Sequence, residues 1–389
     1  MGVRQALQGV NRQLDTVVAR TPEHRDRYVD LLRVLAISVV VIWHWALSIL
    51  YWSDDRWVMP NPIHAVPGGW AATWLLQIVT VFFIVGGYAN SAAWWAAQRD
   101  GNGLRGYVSA RVRRLMIPIA VFLAAWAAFD LLMQLLVPGY PGVLTYGIIL
   151  FTPLWFIAAY VWVVLLTPLT ATAHAHARWL TLGALAAVVI LADVGRFAGG
   201  VEALAWLNTA LVWVLVHQFG YFYRDGTLDR LGRWGAVALV AAAVAVLAVL
   251  TSLEPYPRSM VTTVGQERSN ILPTTVTIAV VAVLQLGVIM LVRAPVTRWL
   301  RRGRVWKVVV AGNAVILTVF LWHMTALLVV LAVLRALDVE LLTEPTAAWW
   351  LQRPLWVLAP ALVLIPLVAI FARFETAGRV TGRGRSRSS

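Results

Sequence analysis

The chain of 389 residues is 60% apolar and only 13% charged, with a formal charge of +14 and a mean hydropathy of +0.75. A soluble domain averages about 45 to 50% apolar and about 25% charged, so this chain has too little polar surface to stay dissolved in water. The absence of cysteine excludes disulfides, thiolate metal sites and cysteine nucleophiles together; any chemistry must run on histidine, carboxylates, arginine and hydroxyls.

Residues 1–28 are polar and arginine-bearing and lack the apolar core and small-residue cleavage site of a secretory signal, so the first membrane helix is expected to act as an uncleaved insertion signal. Within this segment Val3, Leu7, Val10, Leu14 and Val17 recur at three- and four-residue spacing, with Arg4, Arg12 and Arg20 largely off that stripe. The pattern reads either as a helix lying on an anionic membrane surface or as a polar tail with chance periodicity.

Apolar runs of roughly 20 residues follow near residues 29–51, 70–97, 115–137, 145–169, 178–193, 203–222, 234–252, 271–292, 308–334 and 348–371. They are continuously apolar, whereas strands of a membrane barrel alternate over about ten residues, so helices are the expected spanning elements. With the N-terminus inside, 26 of the 32 Lys and Arg fall on the inner side and only Arg56, Arg196, Arg258, Arg268, Arg335 and Arg353 on the outer, which orients the bundle because basic residues are retained in the cytoplasm. The expected fold class is therefore all-α: a polytopic bundle of about ten transmembrane helices with both termini cytoplasmic, multi-pass in the inner (plasma) membrane.

Three parts are expected: a cytoplasmic segment 1–28, one transmembrane domain over 29–372 and a basic, disordered cytoplasmic tail 373–389. No repeat, linker or appended soluble domain is apparent. The positive charge is a topology signal rather than a nucleic-acid surface. Tryptophans at span ends, such as Trp52, Trp57, Trp70, Trp349 and Trp350, read as interfacial anchors that also have the faces to stack on sugar rings.

Ionisable groups inside a bilayer are costly, about 2.5 to 3.5 kcal/mol each even on the permissive insertion scale, so each needs a reason. In RDRYVDLLRVLAISVVVIWHW, Arg33 and His44 are eleven positions apart, about 20° past three turns and about 16 Å of rise, and so lie on one helix face. Such a face suits an elongated, anionic-headed substrate: the guanidinium meets a phosphate at the cytoplasmic mouth and the imidazole waits at mid-depth. Histidine suits a buried general base, being inexpensive to bury neutral and having a reference pKa of about 6.5; a buried histidine also serves as a helix-packing hydrogen-bond donor. Further on, YVSARVRRLMIP places Arg111, Arg113 and Arg114 at the start of the third run, an array that either obeys the positive-inside rule or forks onto phosphates.

These elements resemble the acyltransferase 3 group of ten-helix membrane acyltransferases, and the resemblance covers essentially the whole chain. It rests on Arg33 and His44; Phe82, Phe83, Gly86, Gly87 and Tyr88 in the second run; Arg111 and Arg114 running into Leu115 and Pro118; Leu154-Trp155-Phe156; and Leu321-Trp322-His323. Where many relatives read Ser-Gly-Phe, this chain reads Gly86-Gly87-Tyr88 and lacks the hydroxyl.

The resemblance implies transfer of an acyl group, commonly acetyl, from cytoplasmic acyl-CoA to a hydroxyl of an extracytoplasmic glycan or lipid-linked acceptor. His44 would be catalytic, as general base or transient acyl carrier, with Arg33, Arg111, Arg113 and Arg114 binding acyl-CoA. Asp55, Asp130, Trp155 and His323 are candidates to contact acceptor or orient His44, although outer-loop solvation for Asp55 and interhelical hydrogen bonding for Asp130 and His323 are the plainer roles. Asn208, His217, Gln285 and Asn313 are further polar groups inside the runs. The expected partners are acyl-CoA, the acceptor and the lipid bilayer; acyl-CoA is a donor substrate, and no cofactor, metal or nucleic acid is called for. The rival classes are a secondary transporter or flippase of a polar or lipid-linked substrate, which also buries His and Asp, and a non-catalytic scaffold. Neither needs Arg33 in line with His44, and no pair of Gly- or Pro-broken helices stands at matching positions in two halves.

Overall fold

The computed structural model describes residue 18 and residues 25–53 and 56–380. The surface helix expected before Arg25, the tail beyond Val380 and Asp55 lie outside the described residues.

The first helix, α1, runs Arg27–Ala46. Asp26 caps it, accepting from the backbone N–H of Tyr28 and Val29 at 2.9 and 3.1 Å, so two of the N-terminal donors that a helix leaves unpaired are satisfied. Past Ala46 the chain turns into a small antiparallel hairpin, β1 (Tyr51–Ser53) on β2 (Arg56–Val58), with Trp52 opposite Trp57. Then come α2 (Gly69–Leu76), α3 (Val79–Arg99), α4 (Gly103–Leu136), α5 (Gly147–Phe197) and α6 (Leu204–Arg224). Helices α7 (Gly232–Leu250), α8 (Val276–Trp299), α9 (Gly303–Ala336), α10 (Ala347–Leu351) and α11 (Arg353–Val380) complete the chain.

Each of the ten apolar runs is mostly helical, although the first overruns α1 into the hairpin and the eighth begins before α8, and eight helical stretches of the described residues are long and apolar enough to cross a bilayer. The eight differ from the expected ten in two places. The fourth and fifth runs belong to one helical stretch, bent at Ala177 (φ −149°, ψ 63°); TATAHAHAR offers no glycine or proline to end a helix. That stretch counts 49 residues over Ile149–Phe197, which would extend about 74 Å if straight, against an apolar bilayer core of about 30 Å, so the bend is where the chain has to turn back. The sixth run, α6, is helical but carries Asn208, His217 and Gln218, all buried, which lower its apolarity below that of the eight.

Helix α6 is the centre of the bundle, with every residue from Val212 to Tyr223 buried. Its crossing with α3 is a backbone contact: a Cβ on Gly87 would lie 2.0 Å from the carbonyl oxygen of His217, and one on Gly220 would lie 2.1 Å from that of Ile84. Only glycine fits at either position, the device by which membrane helices approach closely and gain van der Waals contact. Around this pair stand α1, α5 and α8, with α9 packed on α1 and α5, whereas α4, α7 and α11 present mostly exposed apolar side chains, the faces that lipid covers.

The last helix corrects the expected boundary at residue 373. Helix α11 continues through Arg373 and Glu375 to Val380, and Glu375 is buried. Its carboxylate accepts from the Thr318 hydroxyl at 2.8 Å and from Thr318 N and Leu317 N at 2.9 and 3.4 Å, tying the end of α11 to α9.

Candidate active site

One face of α1 organises the site. Residues 33, 37, 40 and 44 follow the i, i+4, i+7, i+11 repeat of a single helical stripe; Arg33 and Ile37 line one cavity and Val40 and His44 line a second.

The first cavity has a volume of about 190 Å³ and collects arginines from separate helices: Arg33 from α1, with Arg111 and Arg114 from α4. The guanidiniums of Arg33 and Arg111 are held by neighbours. Arg33 Nη1 donates to Asp30 Oδ1 at 3.3 Å and to Asn313 Oδ1 at 3.4 Å, and Asn313 itself donates to the Asp30 carbonyl at 2.9 Å. Arg111 Nη2 donates to the Ala89 carbonyl of α3 at 2.7 Å. Asn90, Tyr160 and Glu375 complete the polar lining. Arg113, on the same turn as Arg111 and Arg114, is exposed and does not line the cavity.

The second cavity, about 300 Å³, is lined by Trp43 and His44 of α1, Ser48 just past its end, Trp155, and polar groups including Asn61, Thr152 and Thr262. His44 Nδ1 lies 2.9 Å from Nε2 of His323, whose own Nδ1 lies 2.6 Å from the carbonyl oxygen of Phe320. A carbonyl only accepts, so His323 carries its proton on Nδ1; in the neutral ring Nε2 is then an acceptor, and His44 must donate from Nδ1. The tautomer of His44 is thereby fixed with the lone pair on Nε2, the form that a proton acceptor or nucleophile needs. The two rings lie within 8° of parallel, as an in-plane N–H···N contact requires, and Trp45 Nε1 donates to the His323 carbonyl at 3.0 Å to hold the same helix pair.

The two cavities adjoin. Both are lined by Phe156 of α5 and Phe320 of α9, whose ring centroids are 4.9 Å apart. Along α1, Ile37 lines the arginine cavity and Val40 the histidine cavity, and the two rings, from two other helices, line both.

The remaining candidates separate clearly. Trp155 lines the His44 cavity and His323 contacts His44 directly. Asp130 lines neither cavity: its carboxylate accepts from Val143 N at 2.6 Å and Gln134 Nε2 at 2.8 Å, fixing the turn after α4. Gln285 binds the backbone between α2 and α3, Asn208 pairs with the buried Asp193, and His217 with Asn90 at 3.1 Å. Where relatives carry a serine, a side chain at Gly86 would meet the ring of Tyr160 at 2.8 Å, so that tyrosine occupies the space. Sequence reasoning passed over Glu375, Tyr160 and the Phe156–Phe320 pair. The only signal for Glu375 was a lone acid among basic residues; Phe156 stood in the Leu154-Trp155-Phe156 element, but nothing marked Tyr160 or the pairing of Phe156 with Phe320.

The site is a cation-lined cavity beside a tautomer-fixed histidine pair, His44 of α1 on His323 of α9, inside a multi-pass helical bundle. The family model Acyl_transf_3, the acyltransferase domain, matches residues 26–373, and the chain belongs to that family, the membrane acyltransferases. No curated protein and no solved structure matches the chain.

Proposed function

We propose that the protein transfers an acyl group, acetyl in the first instance, from cytoplasmic acyl-CoA to a hydroxyl of a glycan or lipid-linked acceptor on the outer face of the plasma membrane, with both termini cytoplasmic. The observation that carries this reading is the division of labour along α1: guanidiniums converge at one end and a histidine with a free Nε2 stands at the other. Several cations around one volume suit the phosphates of CoA, whereas arginines retained only by membrane topology have no reason to converge. Trp43 and Trp155 offer ring faces, and Asn61, Thr152 and Thr262 offer hydrogen bonds, to a hydroxylated acceptor in the second cavity.

In this reading His44 Nε2 removes the proton of the acceptor hydroxyl as its oxygen attacks the thioester carbonyl. The carbon–sulfur bond then breaks, and the proton passes from His44 to the departing sulfur, giving ester and CoA thiol. A variant of the same chemistry has Nε2 attack the thioester first and carry the acyl group to the acceptor; both use the one lone pair that His323 leaves free.

The test is incubation of the purified protein in nanodiscs with radiolabelled acetyl-CoA. Expected are saturable binding and slow release of acetate, with label retained on His44 only if the acyl-carrier variant operates. Absence of both binding and hydrolysis in well-folded protein would favour a transporter.

A further inference from the structure

The Phe156–Phe320 pair is the one feature along α1 that the transfer chemistry does not use and would have to get past. Both rings are nearly inaccessible, 6% and 3% exposed. Phe156 is packed edge-on by Phe82 at 4.9 Å and Phe83 at 5.7 Å, and Phe320 also faces the His323 ring at 5.7 Å. Together they form the shared wall of the two cavities. A polar path open at both ends would carry water and ions through the bilayer and bring donor-side water onto the thioester beside His44.

We infer that Phe156 and Phe320 are a movable septum, specificity-determining for the reaction proposed above, on which this inference rests: it keeps the two cavities apart in the empty protein and admits only a slender acyl-bearing arm. Movement of the Phe320 ring would give up its contact with the His323 ring but not the hydrogen bond that sets the histidine tautomers. Phe320 contributes to the site twice, its ring walling the cavities and its carbonyl fixing His323. Rotation of the ring about χ1 leaves the carbonyl in place, so the septum opens while the tautomers of His323 and His44 stay set. Opening it permanently has a defined chemical result. Water then attacks the thioester carbonyl, its proton passes by way of His44 Nε2 to the sulfur, and free carboxylate and CoA thiol form with no acceptor present.

The chain has no cysteine, so a single introduced thiol reports access directly. Val40→Cys places it in the His44 cavity, and Ile37→Cys in the arginine cavity serves as control. In sealed vesicles of either orientation, a membrane-impermeant thiol reagent is expected to label Val40→Cys from the outer face only and Ile37→Cys from the cytoplasmic face only. Adding Phe156→Ala and Phe320→Ala to Val40→Cys is expected to open it to the cytoplasmic face, labelling at least tenfold faster from that side. In the cysteine-free double variant, acceptor-independent hydrolysis of acetyl-CoA is expected to rise about tenfold. If the alanines prevent folding, Phe320→Leu alone, which keeps an apolar side chain but removes the ring, is expected to give the same changes in smaller measure.

Labelling of Val40→Cys from the cytoplasmic face with both rings intact, or no gain of labelling in folded septum variants, overturns the septum. Expected labelling with no acetyl-CoA hydrolysis in any variant overturns acyl transfer instead, and with it the septum's role in donor selection, while the barrier between the cavities stands. The two failures are therefore told apart by which readout moves.

Discussion

His44 and His323 are held in a fixed order of donation, Nδ1 of His44 to Nε2 of His323 at 2.9 Å and Nδ1 of His323 to the Phe320 carbonyl at 2.6 Å. Two helices far apart in sequence thus determine which nitrogen of His44 faces the cavity. His44→Ala is expected to abolish acyl transfer while leaving expression and thermal stability near those of the native protein, since the ring lines a cavity rather than filling the core. Residual transfer above a few per cent, measured with labelled acyl-CoA, would make His44 structural.

His323 acts through His44 and is a positioning residue. His323→Phe removes the acceptor for His44 Nδ1–H, and kcat is expected to fall about 10- to 100-fold with KM for acyl-CoA unchanged, a part of the roughly 100- to 10,000-fold that general base catalysis contributes. His323→Gln presents an amide oxygen that accepts the same hydrogen bond and is expected to restore part of that loss. Equal kcat in the Phe and Gln variants would show that only packing matters at this position.

Arg33, Arg111 and Arg114 enter one cavity and Arg113 does not. A charge-assisted hydrogen bond is worth about 1.5 to 3 kcal/mol, so each of Arg33→Ala, Arg111→Ala and Arg114→Ala is expected to raise KM for acyl-CoA about 10- to 150-fold. Arg113→Ala is expected to change it less than about twofold. Donor titrations across the four variants check this; an equal effect at Arg113 would mean a diffuse surface field rather than a binding cavity.

Gly87→Ala puts a methyl group 2.0 Å from the His217 carbonyl oxygen, where neither backbone gives way, whereas Gly86→Ser meets only the side chain of Tyr160 at 2.8 Å. Overpacking costs about 1 to 3 kcal/mol, so Gly87→Ala is expected to lower Tm by several degrees in thermal unfolding in detergent. Gly86→Ser is expected to stay close to the native value, and still more so combined with Tyr160→Phe.

Glu375→Ala leaves Thr318 Oγ1 and two backbone donors without their acceptor inside the bundle. A buried donor left unsatisfied costs about 1 to 3 kcal/mol, so a lowered Tm is expected, with Glu375→Gln intermediate because one amide oxygen still accepts. Unchanged Tm in both variants would show that water replaces the carboxylate.

The positions of Arg33 and His44 on one face were legible because helical spacing is a local property: eleven residues along a straight helix fix an angle whatever surrounds it. The cavity that gathers Arg33 with Arg111 and Arg114 was legible only as a condition to be met, since it depends on how α1 and α4 dock. Glu375 was misplaced because hydropathy ends a span at the first charges, while the helix ignores them and the carboxylate finds donors on α9. The depth of Asp130 along α4 was legible, but not that the turn after that helix folds back onto its carboxylate. The Phe156–Phe320 wall was not legible as a pair: Phe156 stands in the Leu154-Trp155-Phe156 element, but nothing in sequence joins it to a phenylalanine 164 positions away among many apolar neighbours.

The arginine cavity also lies along a mechanical seam. On one bank, α3 and α6 are riveted through Gly87 and Gly220, and Arg111 is fastened to α3 by the Ala89 carbonyl. On the other, α1 is fastened to α9 through Asp30, Arg33 and Asn313, and α11 to α9 through Glu375. An anion gripped by Arg33 and Arg111 together would stitch the two banks, whereas one held by a single arginine would stiffen nothing across the seam. Loading the cavity is therefore a clamp as well as a recognition event: a bridging donor should raise the unfolding temperature of the whole bundle with concentration, as any ligand confined to the folded state must, and cutting either fastening should leave the anion bound to one bank and the clamp undone.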